Sequence, residues 1–415
     1  MASRQTESTL NIALQNRTSS SNVFAYITGR AIDNNNALFL LQADGRTPYY
    51  PTSPGQTLSP LAVDCAIPLG APGSSVTVTV PHLAGARLWF VRDGRLTFYL
   101  NPGPALVEPS VTNPSDPNIG LDWTFCEFTF NSAQLYANIS YVDFVAALPI
   151  ALTLTNTAGE SRHVAGLPAD GLDRICAALR DQHNRDPGVG WDRLIVTRNG
   201  GGNLRALSPN TARVQDPALF NGYYQPYVDE VWNKYTNTTL TVNTQASWGD
   251  VQARVVSGQL DFGGSIGTYS KPAAADIFSC STGPFTPSGN AARDAVSARL
   301  AAAFNRSTLH KNPVQPNNEV PESYYQHQIT NHYARILHEV NIDHRGYAFP
   351  YDDVGPSSGG DQSGSVFDPN PQLWTVTVGG GQAGSAEAPQ GPRRFERSSR
   401  RRSWLAKLRK YLQRL

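Results

Sequence analysis

Apolar and polar side chains alternate along the segment Phe125 to Asn131. Cys126, Phe128 and Phe130 form an apolar face, and the residues between them are polar. A period of two is typical of a strand that is buried on one side. The pattern therefore predicts a half-buried strand here, within the strand-like stretch 121–154 that is the longest in the chain.

A second strand-like run, Asn138 to Val145, follows after a connection short enough for a hairpin. If that connection centres on Leu135, Glu127 and Asp143 face each other across the two strands. A single carboxylate on a strand is ordinarily solvated or paired with a cation. Two carboxylates that face each other repel, however, and paired carboxylates carry out glycoside hydrolysis. This pair is therefore the candidate chemistry of the chain, with ordinary surface charge as the alternative.

Short apolar runs separated by turn residues continue this strand pattern through the first part of the chain. Their spacing predicts a β-sandwich between residues 11 and 154. Besides the pair above, the predicted strands are Val23 to Thr28, Leu38 to Gln42, Ser75 to Val80, Arg87 to Val91 and Thr97 to Leu100.

Helices and strands mix after residue 166. Helical periodicity is found at Gly171 to Arg185, Asp216 to Tyr235, Ala291 to Phe304 and Glu322 to Val340. Short strands are predicted at Leu194 to Arg198 and Leu240 to Asn243. A last apolar run, Gln372 to Val378, is expected to return to the sandwich.

These patterns predict a mainly β protein with an α+β part. We expect a β-sandwich or barrel domain over residues 1–165, completed by about residues 345–380. A smaller mixed domain is expected over 166–344, and a linker with a basic amphipathic tail over 379–415. A length of 415 residues suits two domains, and 35 Gly, 30 Pro and a single Met suit many short strands joined by turns.

The net charge of +1 hides an uneven distribution. Residues 389–415 hold ten Lys or Arg and one Glu, which leaves 24 basic and 32 acidic residues in 1–388. Nucleic-acid binding needs basic patches that neutralise phosphates. The acidic body therefore argues against a nucleic-acid partner, and a neutral polysaccharide fits it better.

The basic tail forms its own pattern. Its apolar residues fall on one helical face with basic residues around the rest, which would suit an anionic membrane or the acidic body. An extension without a role is the alternative, and we expect no catalytic part for it. The face comprises Trp404, Leu405, Leu408, Tyr411, Leu412 and Leu415.

The sequence carries few signals of location or oligomeric state. It has no apolar run long enough for a transmembrane helix, and its first residues lack the apolar core of a secretory signal. Four cysteines, at positions 65, 126, 176 and 280, allow two disulfides or none. Four N-x-S/T sequons are compatible with secretion, and we expect a monomer.

Other chemistry has weaker support. Gly200 to Gly202 lacks the rest of a phosphate-binding motif. The later histidines, at positions 327, 332, 338 and 344, do not share one helix face, so we expect no metal. No serine or cysteine stands in a known nucleophile motif, and no cofactor is expected.

Several motifs together resemble glycoside hydrolase family 64. They are C-E-F-T-F-N (126–131), S-Y-V-D-F-V (140–145), L-P-I-A-L (148–152), N-G-Y-Y-Q-P-Y-V-D-E-V-W-N-K-Y (221–235) and G-Y-A-F-P-Y-D-D-V (346–354). The resemblance covers about Thr9 to Val378. The family comprises endo-β-1,3-glucanases of the laminaripentaose-producing type with a thaumatin-like domain, so the resemblance implies that fold, a wide groove between the domains and an extracellular or cell-wall location.

The resemblance also implies roles for individual residues. Glu127 would protonate the leaving oxygen and Asp143 would activate water, with inversion at the anomeric carbon. Thr129, Asn131 and Ser140 would bind sugar hydroxyls. The matching residues line the family's groove, and for Thr129 and Ser140 ordinary strand polarity is the alternative.

Three further positions complete the expected groove. Tyr136, expected in the hairpin loop, would stack on a pyranose ring where the family typically has Trp. Tyr351, Asp352 and Asp353 carry the Y-D-D-V motif and would reach the groove from the second domain. Paired aspartates can equally cap or turn a loop.

Two questions stay open from the sequence. Facing carboxylates on adjacent strands would lie about 5 Å apart, the spacing of a retaining enzyme, whereas inversion needs about 6.5–9.5 Å. A bulge or a different register would remove this conflict. The alternative function is a thaumatin-like glucan-binding or defence protein without turnover, since a fold does not fix a function.

Overall fold

The computed structural model describes residues 6–357 and 359–380. The predicted basic tail, 389–415, lies outside the described residues, as does most of the linker. Up to residue 165 the described chain is built from strands, with one short 3₁₀ turn at Ile32–Asn34. These strands are β1 Thr9–Asn16, β2 Val23–Ala31, β3 Ala37–Leu41, β4 Pro48–Tyr49, β5 Ser59–Pro60, β6 Ile67–Pro68, β7 Ser75–Pro81, β8 Leu83–Arg92, β9 Tyr99–Asn101, β10 Ala105–Val107, β11 Asp122–Asn131, β12 Gln134–Ile139, β13 Phe144–Ala146, β14 Ile150–Asn156 and β15 Ser161–Val164.

Helices and short strands alternate in the rest of the chain. The elements are α1 Gly171–Arg185, β16 Ile195–Thr197, β17 Asn203–Leu207, α2 Pro209–Gln215, α3 Gln225–Asn237, β18 Leu240–Asn243, β19 Asp250–Val256, β20 Gln259–Asp261, β21 Thr268–Tyr269, α4 Ala274–Ser279, α5 Ala291–Arg306, β22 Val314–Gln315, α6 His332–Val340, β23 Ser365–Asp368 and β24 Pro371–Val378. Short 3₁₀ helices lie at Trp191–Leu194, Gly283–Phe285 and Pro321–Ser323. The protein is thus mainly β with helices, as the sequence predicts.

Two large sheets form the first part of the molecule. One has the order β15-β14-β24-β1-β7, and the other has the order β23-β12-β11-β8-β2-β3-β4, with β6 also paired to β2. Phe128 on β11 contacts Trp374 on β24 with ring centroids 5.0 Å apart, and both side chains are buried. The apolar face of β11 therefore points into the layer between the two sheets.

The last strand returns to this layer as predicted. β24 lies parallel to β1 and antiparallel to β14, in the middle of its sheet. Trp374, Val376 and Val378 alternate with less buried residues, and all three are fully buried. Alternation with a period of two is the signal that made this strand predictable.

Two predicted helices begin later than expected. Helix α3 begins at Gln225 with Pro226 in its first turn, and the residues before it form turns. Helix α6 begins at His332, where the Asn331 side chain accepts a hydrogen bond from the backbone N–H of Ala334. Proline and asparagine are favoured at helix starts, so each marks the true boundary inside the longer periodic stretch.

The four cysteines are all free and buried. Of the two options open from the sequence, no disulfide is therefore the correct one. Burial raises the pKa of each thiol, to about 12 for Cys65 and Cys176. Thiols of high pKa are poor nucleophiles, so these side chains act as small apolar residues. Within the described ranges, no helix has the length and apolar character needed to cross a bilayer.

Candidate active site

Glu127 lies on β11, near the centre of the larger sheet and on the face opposite Phe128. Its neighbours on adjacent strands are Arg87 on β8 and Asn138 on β12. The register extends this line of polar residues to both sides. From β2 to β23 it reads Thr28, Arg87, Glu127, Asn138 and Ser365.

The predicted partner of Glu127 was wrong. The hairpin loop contains only Ser132 and Ala133, so Glu127 pairs with Asn138 rather than with Asp143. The side-chain Oδ1 of Asn131 accepts hydrogen bonds from the backbone N–H groups of Ala133 and Gln134 at 2.9 and 3.1 Å. This asparagine-capped turn shortens the loop and shifts the register.

Asp143 lies outside strand β12, in a bend between β12 and β13. The predicted continuous strand over Asn138 to Val145 is therefore wrong, because β13 leaves the large sheet and pairs with β17. The backbone carbonyl of Asp143 accepts a hydrogen bond from the N–H of Ser208 at 2.9 Å. This bend frees Asp143 from the facing position that would give a retaining spacing.

The residues before Asp143 are held by the later part of the chain. The N–H of Tyr141 donates to the carbonyl of Tyr347 at 2.8 Å, and the hydroxyl of Tyr333 donates to the carbonyl of Tyr141 at 2.7 Å. Gly346 is required beside this tyrosine, since a Cβ there would lie 2.5 Å from Cε2 of Tyr141. The bend is thus fixed by contacts from distant sequence.

Aromatic packing ties the bend back to β11. The ring of Phe144 lies 4.8 Å from Trp123 and 6.1 Å from Phe125, centroid to centroid. The buried Arg205 side chain lies over Trp123 and Phe144 and donates to the carbonyl of Leu121 at 2.9 Å. Burial lowers the pKa of Arg205 to about 10. The bend that carries Asp143 is therefore packed against β11, the strand that carries Glu127.

The electrostatics of the site couple these two carboxylates. Asp143 keeps an exposed surface, but protein atoms surround it and limit its hydration. This desolvation raises the pKa of Asp143, the charge of Glu127 raises it further, and Arg87 opposes the rise. A carboxyl pKa that is raised by a neighbouring carboxylate is one sign that the two groups share a site.

Arg87 connects Glu127 to a third carboxylate that the sequence did not suggest. Its Nη1 pairs with Oε2 of Glu108, and its Nε lies 3.4 Å from Oε1 of Glu127. Partial burial alone would lower the pKa of Arg87, but Glu108, Glu127 and Asp143 raise it. A pairing between residues 21 and 40 positions apart becomes visible only once the strand register is known.

Two of the predicted sugar-binding residues face the same side as Glu127. Thr129 pairs with Tyr136 across the hairpin, so Tyr136 lies in β12 and the prediction of a loop position was wrong. Thr129 is buried and Tyr136 is half-buried. Asn131 lies at the end of β11, where its side-chain oxygen is occupied by the turn.

Ser140 and Asp353 are linked through Tyr347. Ser140 forms an isolated parallel bridge with Tyr347, whose hydroxyl donates to Oδ1 of Asp353 at 2.9 Å. Asp353 and the nearby Tyr351 are half-buried. The structure therefore brings the Y-D-D-V segment up to the end of β12, just before Asp143.

Asp352 does not share that position. Its side chain is 0% exposed and lies 2.9 Å from Nη2 of Arg306 and 3.1 Å from Nε2 of His338. Its Oδ2 also accepts a hydrogen bond from the backbone N–H of Ala348 at 3.0 Å. The prediction that Asp352 contacts substrate was wrong, because its carboxylate is enclosed in this buried network.

The described residues contain no group of three or more His, Cys, Asp or Glu side chains arranged to hold a metal ion. His338 takes part in the buried network above, and His327 lies 3.3 Å from the carboxylate of Glu230. Two of the four later histidines therefore pair with carboxylates.

Two neighbouring carboxylates, here Glu127 on β11 and Asp143 in the bend after β12, are typical of glycoside hydrolases. The chain belongs to glycoside hydrolase family 64, whose family model, described as beta-1,3-glucanase, matches residues 8–378. The matched residues include all strands of both large sheets and the mixed segment 166–344.

Two sequence relatives bear the name glucan endo-1,3-beta-glucosidase. The protein from Cellulosimicrobium cellulans is 28% identical over 335 residues, which make up 77% of this chain and 58% of that protein. The protein from Arthrobacter sp. (strain YCWD3) is 28% identical over 307 residues, or 72% of this chain and 52% of that protein. The chain thus spans about half the length of the curated relatives it matches.

Solved structures are similar over most of the chain. A crystal structure of a laminaripentaose-producing beta-1,3-glucanase in complex with laminaritetraose is 32% identical, with a TM-score of 0.78, and the match covers 89% of this chain and 98% of that one. A beta-1,3-glucanase domain from Clostridium beijerinckii is 19% identical with a TM-score of 0.67, over 89% and 98% of the two chains, and is alike in fold.

Proposed function

We propose that this protein hydrolyses internal bonds of β-1,3-glucan to oligosaccharides. The observation that carries the proposal is that the bend carrying Asp143 packs against β11, which carries Glu127, and brings the two carboxylates close enough for the charge of Glu127 to raise the pKa of Asp143, within a chain that belongs to family 64. The similar structure with bound laminaritetraose supports a β-1,3-linked substrate. A neutral polysaccharide also suits the acidic body of the chain.

The proposed mechanism inverts the anomeric carbon in one displacement. Glu127 transfers its proton to the glycosidic oxygen as the bond to the leaving sugar breaks. Asp143 takes a proton from a water molecule, whose oxygen attacks the anomeric carbon from the opposite side. Both residues exchange protons with solvent before the next turnover. The raised pKa of Asp143 makes it a stronger base than an ordinary aspartate, provided that the pH stays above that pKa.

Substrate contacts are proposed for residues on the same side of the sheet. Thr129, Ser140 and Asp353 would donate to or accept from sugar hydroxyls, and Tyr136 would stack on a pyranose ring. Tyr351 lies beside Asp353 in the Y-D-D-V segment and would line the same path. Asn131 could contribute its side-chain N–H₂ group only, since the turn occupies its oxygen.

The surroundings of the site complete the proposal. We infer a thaumatin-like sandwich and a wide groove, open at both ends, between it and the mixed domain formed by residues 166–344. An open groove binds the chain at internal positions, so cleavage would release oligosaccharides and little glucose. We also infer that the protein acts outside the cell or in the cell wall, where a glucan of this kind is found.

The direct test is hydrolysis of laminarin by purified protein, followed by reducing-sugar release and chromatography. Glu127→Gln keeps the shape of the side chain but removes its proton, and we expect a loss of about 10²–10⁴-fold in rate. Binding of laminarin and the melting temperature should stay near wild-type values. Turnover close to wild type in Glu127→Gln would remove this residue from the mechanism.

The same experiment separates the alternative function. A glucan-binding or defence protein without turnover would bind laminarin but release no reducing sugar, and Glu127→Gln would then change nothing. Glu339→Gln on α6 is a matched control, because Glu339 is also paired with an arginine, Arg335, but is exposed on another part of the molecule. The control should hydrolyse laminarin at the wild-type rate.

A further inference from the structure

The guanidinium of Arg87 is shared unequally between two glutamates. Nη1 makes the closer contact, with Oε2 of Glu108, whereas Nε and Nη2 each lie 3.4 Å from Oε1 of Glu127. A distance of 3.4 Å is long for a charge-assisted hydrogen bond, which ordinarily measures about 2.7–2.9 Å. Glu108 therefore holds the arginine, and Glu127 is only loosely paired with it.

Packing limits the movement of this arginine. Its Cζ lies 4.9 Å from the ring centroid of Phe125 and 5.5 Å from that of Trp89. The side chains of Arg87, Glu108 and Glu127 are 29%, 32% and 26% exposed, so their charges are only partly screened by water. Arg87 thus remains beside both glutamates, and its position between them depends on which one attracts it more.

A general acid needs its proton when the substrate binds, and a neighbouring arginine opposes this. A positive charge within about 4–6 Å favours the charged form of a carboxyl group. If Arg87 moved onto Glu127, it would hold Glu127 as a carboxylate that has no proton to give. Glu108 engages the guanidinium through Nη1, whereas Nε and Nη2 face Glu127.

We propose that Glu108 is a positioning residue that limits how closely Arg87 pairs with Glu127 and so preserves the proton that Glu127 donates. The inference rests on the proposed function, since it assigns a role within the same site. Glu108 itself is held in place by a hydrogen bond with Thr28, the β2 member of the polar line. Its pKa is raised by burial, which Arg87 partly offsets.

The charged groups around Glu127 determine how the removal of Glu108 would act on it. The charged groups beside Glu127 include Arg87 from β8, Glu108 after β10 and Asp143 from the bend, while β12 contributes the neutral Asn138. Removing the charge of Glu108 frees Arg87 and also removes a negative neighbour of Glu127. Both changes favour the charged form of Glu127, so their effects add rather than cancel.

The test is the pH profile of kcat/KM on laminarin for Glu108→Gln. We expect the alkaline limb, which reports loss of the donated proton, to move to lower pH by about one unit. This is the low end of the roughly 1–3 units that a close opposite charge produces, because Arg87 already contacts Glu127. At a fixed pH on that limb the activity should fall about tenfold. A uniform loss at all pH values, with the limb unmoved, would mean a merely structural role and would overturn the inference.

Three further variants make the result decisive. Glu108→Asp keeps the negative charge, so the alkaline limb of its pH profile should lie close to that of the wild type. Arg87→Met combined with Glu108→Gln removes the competing cation and should return the limb towards its wild-type pH. Glu339→Gln, which removes an arginine-paired glutamate elsewhere, should leave the profile unchanged. If the alkaline limb of the double variant lies at the same pH as that of Glu108→Gln, Glu108 does not act through Arg87, and the proposal is contradicted.

Failure of this inference differs from failure of the proposed function. No laminarin hydrolysis by the wild type at any pH would refute the function itself. An active wild type, an inactive Glu127→Gln and an unmoved limb in Glu108→Gln would leave the function standing and refute only the role of Glu108. Melting curves of each variant confirm that the compared proteins are folded.

Discussion

Asp352→Asn is expected to destabilise the protein while leaving substrate contacts unchanged. The substitution keeps the shape of the side chain and removes its charge from a network in which Asp352 is 0% and Arg306 is 2% exposed. The guanidinium would keep its hydrogen bonds to the carbonyls of Asp352 and Val354 but would lose its counter-charge. His338 would lose that charge as well.

The size of the effect follows from this burial. Removing one partner of a buried ion pair typically costs about 3–5 kcal/mol in the free energy of unfolding. Asparagine still offers an oxygen to one donor, so the lower value of about 3 kcal/mol is expected. One kcal/mol shifts the melting temperature of domains of about 150–250 residues by about 2–4 °C, which gives a decrease of about 6–12 °C.

The pH dependence of this loss of stability is a second prediction, and its sign follows from the pKa of Asp352. Burial alone would raise the pKa of Asp352, but His338 and Arg306 outweigh it and hold that pKa below its usual value. A lowered pKa stabilises the fold above the unfolded-state value of about 3.8, and the contribution is lost as the pH falls through the folded pKa. The difference in melting temperature between wild type and Asp352→Asn should therefore be largest near neutral pH and shrink in acid.

The assay is thermal unfolding, paired with laminarin kinetics well below the melting temperature. Asp353→Asn is the matched control for the unfolding measurement, because Asp353 is the adjacent residue, is half-buried and accepts a hydrogen bond from Tyr347. Its loss of stability should be about 1 kcal/mol. A wild-type melting temperature for Asp352→Asn together with a raised KM would refute the reasoning and return Asp352 to the substrate path.

Two other predictions concern the proposed site. The acidic limb of kcat/KM should lie above the ordinary aspartate pKa of about 3.8, because Asp143 must be charged to act as a base and its pKa is raised by desolvation; a pH profile with that limb at or below 3.8 would contradict this. Tyr136→Trp should narrow the range of oligosaccharide lengths released from laminarin, because a larger ring buries more surface against the sugar, and an unchanged chromatographic profile would place Tyr136 outside the substrate path.

The period of the apolar residues and the residues typical of helix and strand ends were enough to predict several elements. Helix α1 lies at the predicted residues, Gly171–Arg185, and β24 returns to the centre of its sheet. The alternation over Phe125 to Asn131 placed Glu127 on the correct face of β11, opposite Phe128. Such local patterns depend on neighbours two to four residues away, which the sequence displays directly.

The register around the site could not be predicted from the same signals. A shift in pairing changes which residues face each other, and the shift here depends on the short turn at Asn131. An asparagine that can cap its own turn was the available signal. Arg87 and Glu108 were missed for a related reason, because each lies in an ordinary strand-and-turn context and their importance comes only from pairing across the sheet.

The two proposed catalytic residues differ in what holds them. Glu127 belongs to a central strand with neighbours on both sides, so its backbone is fixed by the sheet. Asp143 lies in a bend whose hydrogen bonds come from Ser208, Tyr333 and Tyr347, all in the later part of the chain. The spacing between acid and base, which decides between inversion and retention, therefore depends on contacts between the strand-rich first part and the mixed second part. Neither part alone contains all the contacts that set this spacing.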